Sequence, residues 1–195
     1  MPITGKKDTR ERMIESAVDL FRSRGYSGTG FRDVIAHSGA PRGSIYHHFP
    51  RGKAQLAEEV IRHDADAFGA HVESLQPTNS IALVHAYMEW ARRRLKMSSC
   101  RAGCPVAALV VEAHDGSEVL DAASESWAGA VDALAAALQT DGVPRRRATS
   151  LATVTFASLH GAVLLCRAAR DTEALDTAER ELKRVLRDAI ADARG

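Results

Sequence analysis

Apolar residues recur along this chain at the three- and four-residue spacing of helices, and the alternation of strands is almost absent. The first stripe is Met13, Ile14, Ala17, Val18, Leu20 and Phe21. It predicts a helix over about 9–24, with Asp8 as cap, Glu11 as its reciprocal partner and Gly25 as the stop. A second helix opens at Thr29 or Gly30 and turns Phe31, Val34 and Ile35 inward. Ser38-Gly39-Ala40-Pro41 interrupts it. Residues 42–49 form a third, short helix with Ile45 and Phe49 one turn apart on its buried side.

A longer stripe, Leu56, Val60, Ile61 and Phe68, predicts a helix over about 52–74, roughly 34 Å long at 1.5 Å per residue. Gln76-Pro77-Thr78-Asn79 is a break, and Thr78 or Asn79 caps the next helix, which runs to about Met97. Residues 100–105 form a loop or kink before the apolar run 106–111, which His114-Asp115-Gly116 closes. Ser117 and Glu118 start a helix through Trp127 to Gln139, and Asp141-Gly142-Val143-Pro144 turns the chain again. Two amphipathic helices, about 145–170 and 172–194, end it. The expected fold is all-α with about nine helices. A head over 1–63 is joined by the long helix to a body over 64–195.

Composition narrows the class. Hydrophobic residues make up 45% and charged residues 26%, ordinary values for a globular chain. No apolar run approaches the roughly 18 residues of a membrane span, and the polar N-terminus lacks a secretory core, so no membrane partner and a cytoplasmic location are expected. The net charge of +1 hides an asymmetry: residues 1–63 hold 11 Lys and Arg against 7 Asp and Glu, and the remainder 15 against 18. A positive head on a mildly negative body suits contact between the head and a polyanion. Three cysteines, Cys100, Cys104 and Cys166, argue against a disulfide framework.

Residues 31–49 have the layout of a helix-turn-helix, which holds one helix at a fixed angle for the DNA major groove. Arg42 and Ser44 stand at the start of the second helix of that pair. Arg42 has the fork to read guanine and equally the charge to neutralise phosphate. Gly43 allows close backbone approach, or simply serves the turn. Tyr46 and His47 offer a hydroxyl and an imidazole, and His48 is a phosphate donor or a packing residue. Lys53, at the start of the long helix, suits phosphate, and Arg32 and Thr29 are similar candidates. Lys6, Lys7 and Arg10 form either a minor-groove arm or a solvated tail.

Gly25-Tyr26, Thr29, Asp33-Val34-Ile35-Ala36, Ser38-Gly39, Gly43, Tyr46-His47-His48-Phe49 and Lys53 together resemble the N-terminal signature of TetR/AcrR-family repressors, over about residues 9–63. The extra residue in Phe49-Pro50-Arg51-Gly52-Lys53, with Gly103-Cys104-Pro105, is similar to the LmrA/YxaF-like subgroup. The resemblance implies an all-helical homodimer that binds a palindromic double-stranded operator and leaves it when a small-molecule effector enters the body. Gly30 departs from the pattern: many relatives carry Ser or Thr there as half of a capping box with the Asp three residues on. Asp33 remains but the hydroxyl does not, which makes Thr29 the expected hydroxyl donor.

In the body, Tyr87, Trp90, Met97, Trp127, Phe156 and His160 lie among small residues and are the candidates for an effector cavity, though ordinary core packing gives the same pattern. The last two helices, about 145–194, are expected to pair with a second copy as a four-helix interface; their stripes also suit the chain's own core. Cys100, Cys104 and His114 match no zinc spacing, and neither a metal nor another cofactor is expected. Redox sensing through Cys100 and Cys104, and transcriptional activation, remain alternatives. No carboxylate pair or Ser/His/Asp set is placed for catalysis, so a helical enzyme is the remote one.

Overall fold

The computed structural model describes residues 8–114 and 117–193. Among them are nine α-helices and no strand: α1 (Thr9–Arg24), α2 (Phe31–Ser38), α3 (Ser44–His48), α4 (Lys53–Leu75), α5 (Ser80–Met97), α6 (Pro105–Glu112), α7 (Glu118–Thr140), α8 (Arg145–Ala169) and α9 (Glu173–Asp192). Lys6, Lys7, the Asp115-Gly116 turn and the final residue of the last expected helix, Arg194, lie outside the described residues.

The chain divides into two compact units, residues 1–64 with 105–123, and residues 65–104 with 124–195. In the first, α1 packs on α2, α3 and α6. Met13, Phe21, Val34, Ile45, Phe49, Leu56, Val106 and Leu109 are all at most 2% exposed and form its interior. The second unit is built on mutual packing of α5, α8 and α9. Its core joins Val84, Tyr87, Met88 and Leu95 of α5 with Leu134 and Leu138 of α7, Leu159 and Cys166 of α8, and Leu175 and Leu186 of α9.

Local chemistry explains most boundaries. Asn79 caps α5, its side chain accepting from the Ala82 amide at 2.9 Å. Pro105 opens α6, where its missing N–H costs nothing. Gly39 ends α2 in the left-handed region at φ 65°, which an L side chain resists. Three expectations need correction. Asp8 flanks α1 but makes no side-chain cap bond. The third helix begins at Ser44, not 42, so Arg42 and Gly43 stand in the turn. The apolar residues after 105 form a helix that belongs with the first unit.

α8 also departs from the sequence reading. It is the single described helix long and apolar enough, by length and composition, to cross a bilayer. Small and polar residues break its apolar run, so no uninterrupted stretch announces it. Much of that apolarity is core: Leu151, Ala152, Leu159, Ala162, Val163 and Cys166 are buried. Val154, Leu164 and Leu165 stay 52–62% exposed.

Candidate nucleic-acid interface and effector-contact residues

The short α3 is held by its apolar side. Ile45 and Phe49 are fully buried one turn apart, which turns the intervening residues outward. Tyr46 is 68% exposed and meets the Phe31 ring edge-on, with centroids 5.6 Å apart. His47, Arg42, Gly43 and Arg32 are exposed, and His48 is half-buried against Phe49. Ser44 spends its hydroxyl locally, donating to the Pro41 carbonyl at 2.6 Å. The turn and α3 therefore present a guanidinium, a phenol, an imidazole and a bare backbone on one side.

Thr29 corrects an expectation. It is fully buried, and its hydroxyl donates to the Gly25 carbonyl at 3.0 Å. It closes the loop before α2 and has no free hydroxyl to offer a phosphate. Half a capping box survives beside it: Asp33 accepts from the Gly30 amide at 2.7 Å, and glycine has nothing to return. Arg10 belongs to α1, paired with Glu59 at 2.7 Å and lying over the Phe49 ring, which ties it to the head's surface and not to an arm.

Lys53, the first residue of α4, rests on Tyr26. Its ammonium donates to the Tyr26 carbonyl and sits 4.0 Å from the ring centroid. Burial pulls its pKa down, while Glu112 and Asp33 act to raise it. Tyr26 is held by Glu112 of α6, whose carboxylate accepts from the Tyr26 and Ser27 amides at 2.8 Å each. Hydrogen bonds from Ser27, then the Tyr26 amide and the Lys53 charge, keep that carboxyl below its ordinary range. Gly25 makes the approach possible: a Cβ there would lie 2.2 Å from the carboxylate, and its φ is +77°. One residue along from Gly52, Arg51 bonds Glu58 at 3.0 Å and also pairs with Glu118 of α7. Sequence reasoning quoted Tyr26 and Arg51 only within the family signatures and missed Glu112 and Glu118; Glu112 lies 85 and 86 residues from its partners and no local pattern marks it.

In the second unit five of the six effector candidates fall into two aromatic groups, one of which also includes Phe68 and His71. Phe68 of α4 meets Tyr87 at 4.9 Å and Trp90 at 6.1 Å between centroids, and His71 meets Trp90 at 5.4 Å. Tyr87 is 2% exposed and donates its hydroxyl to the Ala130 carbonyl at 2.9 Å; burial pushes its pKa up to about 12. His71 is also buried, with Nε2 3.2 Å from the Ala86 carbonyl. Trp127, Phe156 and His160 form the other group, at 4.6–6.3 Å. Met97 joins neither. It ends α5 81% exposed, because Leu95, 1% exposed, fills the core position on that turn. Cys100 and Cys166 are buried, and burial pushes the Cys166 thiol up, away from thiolate reactivity. Among the described residues, no three His, Cys, Asp or Glu side chains are grouped to hold a metal ion.

Residues 13–60, the span holding this head, match the family model for "Bacterial regulatory proteins, tetR family". Residues 80–181 match that for "Transcriptional regulator LmrA/YxaF-like, C-terminal domain". The chain belongs to the TetR family. This TetR-family regulator is 39% identical over 185 residues to the uncharacterized HTH-type transcriptional regulator Rv0196 of Mycobacterium tuberculosis, covering 91% of this chain and 93% of that one. It is 30% identical over 171 residues to the HTH-type transcriptional regulator LmrA of Bacillus subtilis, covering 86% and 91%. It is 27% identical over 187 residues to the HTH-type transcriptional repressor NemR of Escherichia coli, covering 92% and 94%. The crystal structure of reduced NemR superposes with a TM-score of 0.75, covering 91% of this chain and 96% of that one. The all-α fold and the helix-turn-helix, DNA-binding character of this transcription regulator follow from these relationships together.

Proposed function

We propose that this TetR-family regulator is a cytoplasmic homodimeric repressor that holds a palindromic operator through α2, the turn and α3, and releases it when a small-molecule effector binds in the second unit. The observation that carries the reading is the outward face of the turn and α3: Ile45 and Phe49 are buried while Arg42 of the turn and Tyr46 and His47 of α3 are exposed. Tyr46, Arg42 and His47 supply base and sugar contacts, Gly43 lets backbone approach, and Arg32, Lys53 and His48 neutralise phosphate. Ser44 and Thr29 act by shaping the segment.

Pairing of two copies fits the operator logic, since two recognition helices must lie about 34–36 Å apart to read successive major grooves. Val154, Leu164 and Leu165 on α8 and Val185 on α9 are exposed apolar residues suited to that contact. The effector is an apolar or aromatic small molecule that repacks Phe68, Tyr87, Trp90 and His71, or Trp127, Phe156 and His160. α4 carries Phe68 and His71 on its later turns and Lys53 at its start, so repacking travels along one continuous helix. Release requires that effector bind the non-DNA conformer more tightly, because equal affinity for both conformers shifts nothing.

Fluorescence anisotropy on duplexes flanking the regulator's own gene, with a salt series and an effector screen, tests this. Selective binding with dimer stoichiometry, reversed by an aromatic compound, is expected. Affinity no better than for random duplexes at every candidate promoter would refute it.

A further inference from the structure

Glu112 is the last residue of α6, far in sequence from the head, yet each of its carboxylate oxygens accepts one of two consecutive head amides. Tyr26 is thereby held twice: its N–H by Glu112, its carbonyl and ring by Lys53. The Thr29 amide donates to the same Tyr26 carbonyl at 3.2 Å, and the Thr29 hydroxyl closes back on Gly25. Loop, ammonium and carboxylate thus form one continuous set of contacts in front of α2. We propose that Glu112 is a positioning residue for DNA binding: by clamping the Tyr26–Ser27 amides it fixes the perch on which Lys53 presents its ammonium to a phosphate. The proposal rests on the phosphate role given to Lys53 above.

The sign of the effect separates positioning from plain electrostatics. A carboxylate beside a phosphate-binding lysine repels DNA, so if charge alone mattered its removal would tighten binding and leave the number of neutralised phosphates unchanged. If Glu112 positions Lys53, its removal weakens binding and removes one phosphate contact, as loss of Lys53 itself would. α6 begins at Pro105, directly after the 100–104 segment in the chain.

The test uses the full-length chain and a duplex selected by the wild-type protein from a random library. Wild type, E112Q, K53A and the double variant are titrated by anisotropy from about 50 to 200 mM salt. E112Q is expected to lose about three- to tenfold in affinity and to flatten the salt slope by about one contact, matching K53A, with the double variant no worse than K53A alone. E112Q binding as tightly as wild type or tighter, or its loss multiplying in full onto that of K53A, overturns the proposal. If K53A alone leaves affinity and slope unchanged, the phosphate role of Lys53 falls first and the clamp with it. The wild-type chain supplies a check that needs no variant to fold. Hydrogen exchange at the Tyr26 and Ser27 amides should be slow and slow further with duplex bound; exchange at the rate of open loop amides overturns the clamp.

Discussion

Glu179 on α9 is 7% exposed and collects three nitrogen partners: the His85 ring at 2.7 Å, and Arg92 and Lys183 at 2.5 Å each. Burial alone would raise its pKa, but the hydrogen bonds from Lys183, His85 and Arg92 outweigh it and bring the value down from 4.5 to about 2. That fall corresponds to about 3 kcal/mol of stabilisation of the charged, folded form. Removing one partner of a buried ion pair generally costs about 3–5 kcal/mol. Arg92, 14% exposed, would keep Glu89 at 2.7 Å and Asp176 at 2.9 Å, so the lower end applies. Glu179→Ala should therefore destabilise the chain by about 3 kcal/mol, or roughly 6–12 °C in melting temperature for a chain of this size. The pH dependence carries a definite sign. Because the folded-state pKa is depressed, the contribution is complete above the ordinary carboxylate value of 4.5 and is lost as pH falls from there through about 2. Calorimetry of wild type and variant across that range should show a gap that is constant above about pH 5 and closes in acid. A variant melting within about 1 °C of wild type at pH 7, or a gap that widens in acid, would refute the reasoning.

Arg42→Ala should cost about 1–3 kcal/mol on the preferred operator and relax selectivity at one base pair if Arg42 reads a base; an equal loss on all duplexes with a flatter salt slope reassigns it to phosphate. Thr29→Val should lower the melting temperature, by loss of a buried hydroxyl bond worth about 1 kcal/mol, while leaving the salt slope of DNA binding untouched; a flattened slope would restore Thr29 as a phosphate contact. Replacing Leu164 and Leu165 together by Glu should yield monomers in sedimentation velocity and remove operator binding, whereas an unchanged dimer would move the interface elsewhere. Phe68→Ala should reduce effector response more than DNA affinity, and an intact dose–response curve in that variant would exclude the α4–α5 aromatic group as the effector site.

The helices were legible because their signal is local. The stripe of α4 places its start and end within one residue of the observed Lys53–Leu75, and the break offers Thr78 or Asn79 as the cap of α5, of which the structure uses Asn79. Ile45 and Phe49 announce by spacing alone which side of α3 is buried. What stayed hidden depends on long-range contacts. Nothing near Glu112 signals two amide partners in another helix's loop. Thr29 carries a hydroxyl suited to phosphate, and only the fold shows it turned back on Gly25. Met97 extends an apolar stripe in sequence, but the helix ends there and its side chain meets solvent. The apolar run after Pro105 reads in sequence as part of the body, and only its packing against α1 puts it with the first unit.

The membership of residues 105–123 in the first unit makes the DNA-binding module discontinuous along the gene. A chimera that grafts residues 1–63 onto a foreign sensing body inherits α1 without Val106 and Leu109, which are 2% and 1% exposed here, and without the carboxylate that holds Tyr26. Recombination by a single crossover therefore swaps an incomplete part. An exchange of heads cut at two places keeps α6 with α1, on which it packs.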